Sequence, residues 1–318
     1  MNSTVPPRPA PHGWIVLDKP LGLGSTQAVA AVKRNLREAG YGKKVKVGHG
    51  GTLDPLATGV LPIALGEATK LAGRMLDASK TYEFTVQFGR QTDTLDLEGK
   101  VVAISDVQPG FGAVESILQE RFTGEIDQVP PSYSAIKIDG ERAYDLARAG
   151  EDVQLKSRRV TIFGWEYLAE GFVGEWDASE QYVTLRVKVS KGTYIRSLAR
   201  DISLALGTVG HVTMLRRVKA GPFDLSQAIS LDKLNEIGKG ATLEQILLPL
   251  EVGLDDIPAI DLGSEQARAV RQGRVLTELP HDDGLYWARE GTIPVALVEL
   301  SSGEVRVVRG FNLSDVAE

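Results

Sequence analysis

Thr81–Phe88 alternates without a break. Tyr82, Phe84, Val86 and Phe88 fall on one set of positions, and Thr81, Glu83, Thr85 and Gln87 fall on the other. Successive strand side chains point to opposite faces, so this period of two predicts a strand with one buried face. Such a strand needs neighbours. Leu61–Leu65, Val101–Ile104, Ala135–Ile138, Val160–Trp165 and Tyr182–Val189 also read as strands, and Trp14–Leu17 as a short buried one closed by Asp18-Lys19-Pro20. A helix is predicted after Ser25, a suitable N-cap, with Val29, Val32 and Leu36 on one face and Gly40 as its stop. Further helices are predicted at Glu67–Leu76, Val114–Phe122, Glu141–Ala149 and Ile195–Leu206. Strands and helices mix without a regular βαβ repeat, which predicts an α+β fold on a mixed, largely antiparallel sheet.

The texture changes after Leu250. Asp255-Asp256-Ile257-Pro258 reads as a linker, followed by a helix near Ser264–Gln272 and strands at Pro294–Leu300 and Val305–Arg309. The expected division is a disordered tail at residues 1–12, a catalytic domain at 13–255 and a small β-rich module at 256–318.

The absence of cysteine excludes disulfides and thiolate metal sites. No apolar run approaches the ~20 residues that span a bilayer, and the proline-rich start lacks the apolar segment of a signal peptide. A cytoplasmic enzyme with no membrane partner is expected. The net charge of −6 argues mildly against a nucleic-acid partner, but its distribution matters more. Arg186–Lys219 holds eight Lys or Arg against Asp201 alone, and Lys33–Lys46 holds six against Glu38 alone. From Ala220 onward there are eight basic residues and seventeen acids, so the acidity is concentrated late in the chain.

The stretch richest in chemical possibility is Gly48-His49-Gly50-Gly51-Thr52-Leu53-Asp54-Pro55-Leu56-Ala57-Thr58-Gly59. Its glycines allow positive φ and close approach to a ligand, and Pro55 biases Asp54 toward an extended backbone. Composition alone also fits a surface turn. The Gly-Lys-Ser/Thr of a phosphate loop is missing.

This stretch resembles the Gly-His-x-Gly-x-Leu-Asp-Pro-x-Ala-x-Gly signature of TruB-type tRNA pseudouridine synthases. Further matches follow in that family's order: Leu17-Asp18-Lys19-Pro20, Lys80-Thr81-Tyr82, Thr92-Asp93-Thr94-Leu95-Asp96 with Gly99, Pro130–Lys137 with Ala143-Tyr144, Ser190–Arg196, and Leu215-Arg216-Arg217. The resemblance covers about residues 13–225. Two features depart from the pattern: Gly24 stands before Ser25, and Tyr41–Val47, with Lys43, Lys44 and Lys46, is longer than expected. The tail faintly resembles a PUA-type RNA-binding module.

The resemblance implies isomerisation of the uridine at position 55 in the TψC arm of tRNA, with the base flipped out of its stack. It implies Asp54 as the essential carboxylate, Arg196 as its partner, Tyr82 stacked on the flipped uracil and Tyr194 as a proton donor or acceptor. It implies substrate-binding roles for His49, Lys19, Leu215, Arg216, Arg217 and Lys191. The reaction neither adds nor removes atoms, so no cofactor is expected. No metal is expected either, because four histidines without a His-Glu-x-x-His motif make no convincing site. Basic residues between Arg186 and Lys219 would contact phosphates. Covalent attack and a glycal route both stay open for Asp54. No obligatory protein partner is expected. A guide-RNA-dependent relative of the dyskerin kind and a tRNA-folding chaperone are the competing readings.

Overall fold

The structure is a computed structural model, and it describes residues 8–134, 136–138, 140–149, 155–173, 180–277 and 279–313. Strand β1 (Gly13–Lys19) leads into helix α1 (Ser25–Glu38), then strands β2 (Val47–His49) and β3 (Ala57–Leu65). A 3₁₀ turn at Gly66–Leu71 runs into α2 (Ala72–Asp77). Next come β4 (Lys80–Phe88), the ribbon of β5 (Arg90–Thr92) and β6 (Val101–Ile104), α3 (Phe111–Arg121) and β7 (Gly124–Gln128). A second ribbon, β8 (Lys137–Ile138) and β9 (Glu141–Arg142), precedes α4 (Ala143–Arg148). The long strands β10 (Arg158–Val173) and β11 (Glu180–Val189) are followed by α5 (Ile195–Ala205) and β12 (Gly210–Ala220). The remainder comprises β13 (Phe223–Asp224), α6 (Leu231–Gly238), β14 (Ala259–Asp261), α7 (Ser264–Arg271), β15 (Leu276–Thr277), β16 (Gly284–Glu290), β17 (Ile293–Ser301) and β18 (Glu304–Gly310). The architecture is α+β.

The chain forms two compact units. One comprises Met1–Leu53, Val60–Leu76 and Gly221–Glu318, and the other comprises Asp54–Gly59 and Asp77–Ala220.

In the second unit, neighbouring strands run in the order β12-β4-β11-β10-β7, each pair antiparallel. The first residues of β3, Ala57–Gly59, pair in parallel with Leu215–Arg217 of β12. The alternation along β4 does what its period implies. Phe84, Val86 and Phe88 are buried and form one core with Val183, Leu185 and Val187 of β11. Helices α3 and α5 close that core with Val114 and Leu118, and with Ile195, Leu198, Ala199 and Ile202. The α5 set follows i, i+3, i+4, i+7, the stripe that one helix face presents to a sheet. Each fully buried large side chain contributes about 1.5–3 kcal/mol.

In the first unit, β1 is buried through Trp14, Ile15, Val16 and Leu17. Trp14 packs against Phe223 at 5.0 Å between ring centroids and donates from Nε1 to the Leu250 carbonyl at 3.1 Å. Gly253 is required there, since a Cβ would lie 2.7 Å from the Trp14 ring. A five-stranded sheet, β14-β16-β17-β18-β15, has its own core under α7, including Ile260, Ala267, Val270, Val295 and Val298.

Several expectations need correction. Gly24, not Ser25, is the cap of α1, and the Ser25 hydroxyl instead bonds to the Leu53 backbone. Glu67–Leu76 is a 3₁₀ turn followed by one short helix. The glycine-rich loop is shorter than predicted, because β2 and β3 extend into both its ends. Asp255–Pro258 is anchored: Ile257 is buried, and Asp256 pairs with Arg74 at 2.9 Å. The disordered-tail expectation for residues 1–7 lies outside the described residues, as does Ala135 of the strand expected there. Arg8 and His12 are held, with the Arg8 amide donating to Gly40 and His12 Nδ1 accepting from the Glu67 amide. Strands β7, β12 and β16 and helix α6 were not anticipated.

Candidate active site

Asp54 stands three residues before the paired start of β3, where a turn from its own carbonyl to the Ala57 amide at 3.0 Å holds it. Gly59 lets this segment lie against β12. Its φ is +100°, and a Cβ there would come within 2.2 Å of the Arg217 carbonyl oxygen. In the first unit, the Leu53 backbone is pinned by Ser25, whose hydroxyl accepts from its amide and donates to its carbonyl, both at 2.8 Å. The residue before Asp54 is therefore fixed at both backbone polar groups.

Arg196 projects from the first turn of α5 and is almost fully enclosed. Its Nη2 lies 2.8 Å from Oδ2 of Asp54, with side-chain exposures of 8% for Arg196 and 41% for Asp54. The same nitrogen donates to the Tyr133 carbonyl at 3.0 Å, while Nη1 donates to the Thr94 carbonyl at 2.9 Å and faces Oδ2 of Asp96 at 3.6 Å. A guanidinium with this many fixed acceptors has one orientation, so it holds the accessible carboxylate in one place.

The turn Thr92–Gly99 is built to present Asp96. Oδ1 of Asp96 accepts from Thr94 Oγ1 at 2.5 Å and from the Glu98 amide at 3.0 Å, and Leu95 adopts a φ of +64°. Gly99 is needed, since a Cβ would clash with Asp93 and Thr94 at 2.2 and 2.5 Å. Burial, then the charges of Asp96 and Asp54, raise the Glu98 carboxyl above its ordinary range.

Tyr82 and Leu215 are half-buried neighbours on one sheet. Tyr82 is opposite Arg217 and Leu215 is opposite Phe84, and both pack against the same core. Leu215 is also opposite Ala57 on its other side. The register thus places Tyr82 two residues along β4 from the partner of Leu215, and Leu215 beside the start of β3 that follows Asp54.

Tyr194 caps α5. Gln128, fully buried on β7, accepts from its amide at 2.8 Å and donates to its carbonyl at 3.2 Å. The Arg158 guanidinium lies over the Tyr194 ring at 4.5 Å from the centroid. Sequence reasoning missed Gln128 and Arg158, and it gave Asp96 no role. Only a motif match marked Asp96, and nothing local marks the other two.

The expected substrate-binding residues divide. Lys191 is exposed and pairs with Asp77 at 2.9 Å. Arg216 is half-buried, with Nη1 3.4 Å from Thr58 Oγ1. Arg217, in contrast, is buried at 1% exposure. Lys19, in the first unit, is 0% exposed, and its Nζ donates to the carbonyls of Pro20 and Leu23. It ties together the turn that follows β1. His49 ends β2 with Nδ1 3.3 Å from the Gly51 amide. Beside Arg217, Lys80 is buried, and this desolvation followed by the Arg217 charge lowers its ammonium to about 8. Among the described residues no cluster of His, Asp or Glu could hold a metal, and no helix is long and apolar enough to cross a membrane.

Residues 37–195 match the TruB family pseudouridylate synthase N-terminal domain, and residues 196–255 match the tRNA pseudouridylate synthase B C-terminal domain. The fold is thus that of a pseudouridylate synthase, and the chain belongs to the TruB family. It is 71% identical to tRNA pseudouridine synthase B of Novosphingobium aromaticivorans over 309 residues, covering 96% of this chain and 99% of that protein. It is 57% identical to tRNA pseudouridine synthase B of Zymomonas mobilis, covering 98% and 100%. Among solved structures it is similar to a chain of a Cbf5–Nop10–Gar1 complex (TM-score 0.71, 27% identity, 96% of this chain and 86% of that one). It is also similar to a chain of an H/ACA RNP bound to a substrate RNA containing 2′-deoxyuridine (TM-score 0.69, 26% identity, 96% and 86%).

Proposed function

We propose that this protein isomerises uridine 55 in the TψC arm of tRNA to pseudouridine, with Asp54 as the essential carboxylate. The single observation that carries the assignment is the Asp54–Arg196 pair, an accessible carboxylate fixed by an enclosed guanidinium. Relatives named tRNA pseudouridine synthase B that align over nearly their whole length supply the substrate class.

In this reaction the bond from N1 to C1′ breaks, the uracil turns, and C5 bonds to C1′. The proton on C5 leaves and N1 gains one, so the product is an isomer of the substrate. Asp54 acts at the sugar, either by attack at C1′ or by abstracting a sugar proton to give a glycal. Its ion pair suits both, because each needs the ionised form.

The target base must leave its stack at a cost of a few kcal/mol. Tyr82 offers an aromatic face that returns ~1–3 kcal/mol by stacking. Leu215 lines the same place, and Tyr194, held by Gln128 and Arg158, handles the proton. His49 fills the space left by the flipped base. Arg216, Lys191 and the exposed cations near them take phosphates, which sets affinity and salt dependence. The protein works in the cytoplasm without an obligatory protein partner, and its C-terminal β-rich part serves as a PUA-like RNA-binding module.

Unmodified tRNA treated with the purified protein, then mapped by chemical probing for pseudouridine, tests this directly. Modification confined to position 55 is expected, and no pseudouridine in tRNA would overturn the assignment.

A further inference from the structure

A cavity of about 260 Å³ in the first unit lies outside the chemistry described above. Its walls include Leu36, Val45 and Val47, and three cations, Lys33, Arg37 and Lys43, surround it. Lys33 and Arg37 are one turn apart on the exposed side of α1. Gly40 and Gly42, at φ of +86° and +75°, turn the chain back so that Lys43 reaches the same cavity. The longer segment Tyr41–Val47 thus builds one wall of it.

Like charges four apart on a helix oppose each other, and a third on the same cavity adds to the repulsion. None of the three makes an ion pair or side-chain hydrogen bond among the described residues. The acid nearest in sequence, Glu38, does not line the cavity. Its Oε2 sits 2.6 Å from where a Cβ on Gly238 would be, at the end of α6. Three cations without an acid, around a cavity lined in part by Leu36, Val45 and Val47, suit a backbone phosphodiester with its sugar against the valines.

We propose that this cavity binds a phosphate group of the RNA backbone through Lys33, Arg37 and Lys43. The inference rests on the reading of the protein as a tRNA-modifying enzyme, and it adds a contact outside the catalytic residues.

The test measures affinity for unmodified tRNA across a salt series with three proteins: the wild type, the triple variant Lys33→Gln, Arg37→Gln, Lys43→Gln, and Lys44→Gln. All four side chains are exposed, and Lys44 is not among the cavity residues, so no variant should melt below the wild type. The triple variant should bind about tenfold more weakly at low salt, with a slope of log K against log salt shallower by about one, the signature of one lost phosphate contact. Lys44→Gln should match the wild type. Triple-variant affinity and slope equal to wild type would overturn the proposal, even if inorganic phosphate binds the wild type. An equal loss in Lys44→Gln would also overturn it, by showing diffuse charge instead of a site. Wild-type protein that does not bind tRNA at all would instead contradict the proposed function.

Discussion

Nη2 of Arg196 lies 2.8 Å from Oδ2 of Asp54, while its other terminal nitrogen faces Asp96 at 3.6 Å. One enclosed guanidinium therefore stands between an accessible carboxylate and a buried one. Asp96 is tied down by Thr94 and the Glu98 amide, so the order of support runs from the Thr92–Gly99 turn through Asp96 and Arg196 to Asp54.

Asp96→Asn tests that chain of support. The amide keeps its volume but turns a donor or a neutral oxygen toward Arg196, so the guanidinium loses its fixed orientation. Turnover should fall ten- to a hundredfold, about 1.4–2.8 kcal/mol in the barrier. tRNA affinity should change less than threefold. Wild-type turnover in this variant would show that Asp96 is only a turn residue.

Arg158 should act through Tyr194. A desolvated cation over a ring contributes up to about 2 kcal/mol, enough to fix the ring. Arg158→Met should therefore slow single-turnover isomerisation about tenfold without weakening tRNA binding. In a Tyr194→Phe background, where the hydroxyl is already absent, it should cost little more. Additive losses in the double variant would separate the two residues.

The long-range parts of this arrangement were the least legible in the sequence. The β4 alternation was readable because period alone decides which face is buried, and the α5 helix was placed at Ile195–Leu206 without its buried face being read. Strand β12 was not, because Arg216, Arg217 and Lys219 interrupt its apolar pattern and read as a basic surface. Its place beside β4 buries Arg217, which no local rule anticipates. Asp54 and Arg196 were named through family resemblance, since nothing in their spacing brings them together. Gln128 and Arg158 were invisible because their partners are a backbone and a ring set by tertiary register. Ser25 looked like a cap by residue type, but its hydroxyl is used on Leu53.

Lys80 should make stability depend on pH. Its folded ammonium titrates near about 8, while an unfolded lysine keeps its proton to about 10.4. Between those values the unfolded chain binds more protons, so stability rises with pH. Denaturation of wild type and Lys80→Met should show the wild type gaining on the variant from pH about 8 to about 10, by up to a few kcal/mol. A constant difference would mean that Lys80 is not desolvated as described.

Tyr82 separates packing from catalysis. It lies beside Phe84 against the core, so a purely structural Tyr82 would make Tyr82→Phe silent. Tyr82→Leu would then lose stability, ~1–3 kcal/mol, and activity together. Stacking on the uracil, with the Tyr82 hydroxyl assisting the proton transfer that Tyr194 serves, predicts otherwise. Tyr82→Leu should lose turnover drastically at nearly constant melting temperature, and Tyr82→Phe should keep tRNA affinity but lose proton transfer. Turnover and melting measured side by side decide between them.

The most direct test is Asp54→Asn, a nearly isosteric change that removes only the ionised carboxylate. The measurement is pseudouridine formed at position 55 by the purified variant at saturating tRNA, with binding followed in parallel. No detectable product, with affinity within about an order of magnitude of wild type, is the expected result. Measurable turnover by a clean Asp54→Asn preparation would contradict the assignment of Asp54 as the essential carboxylate.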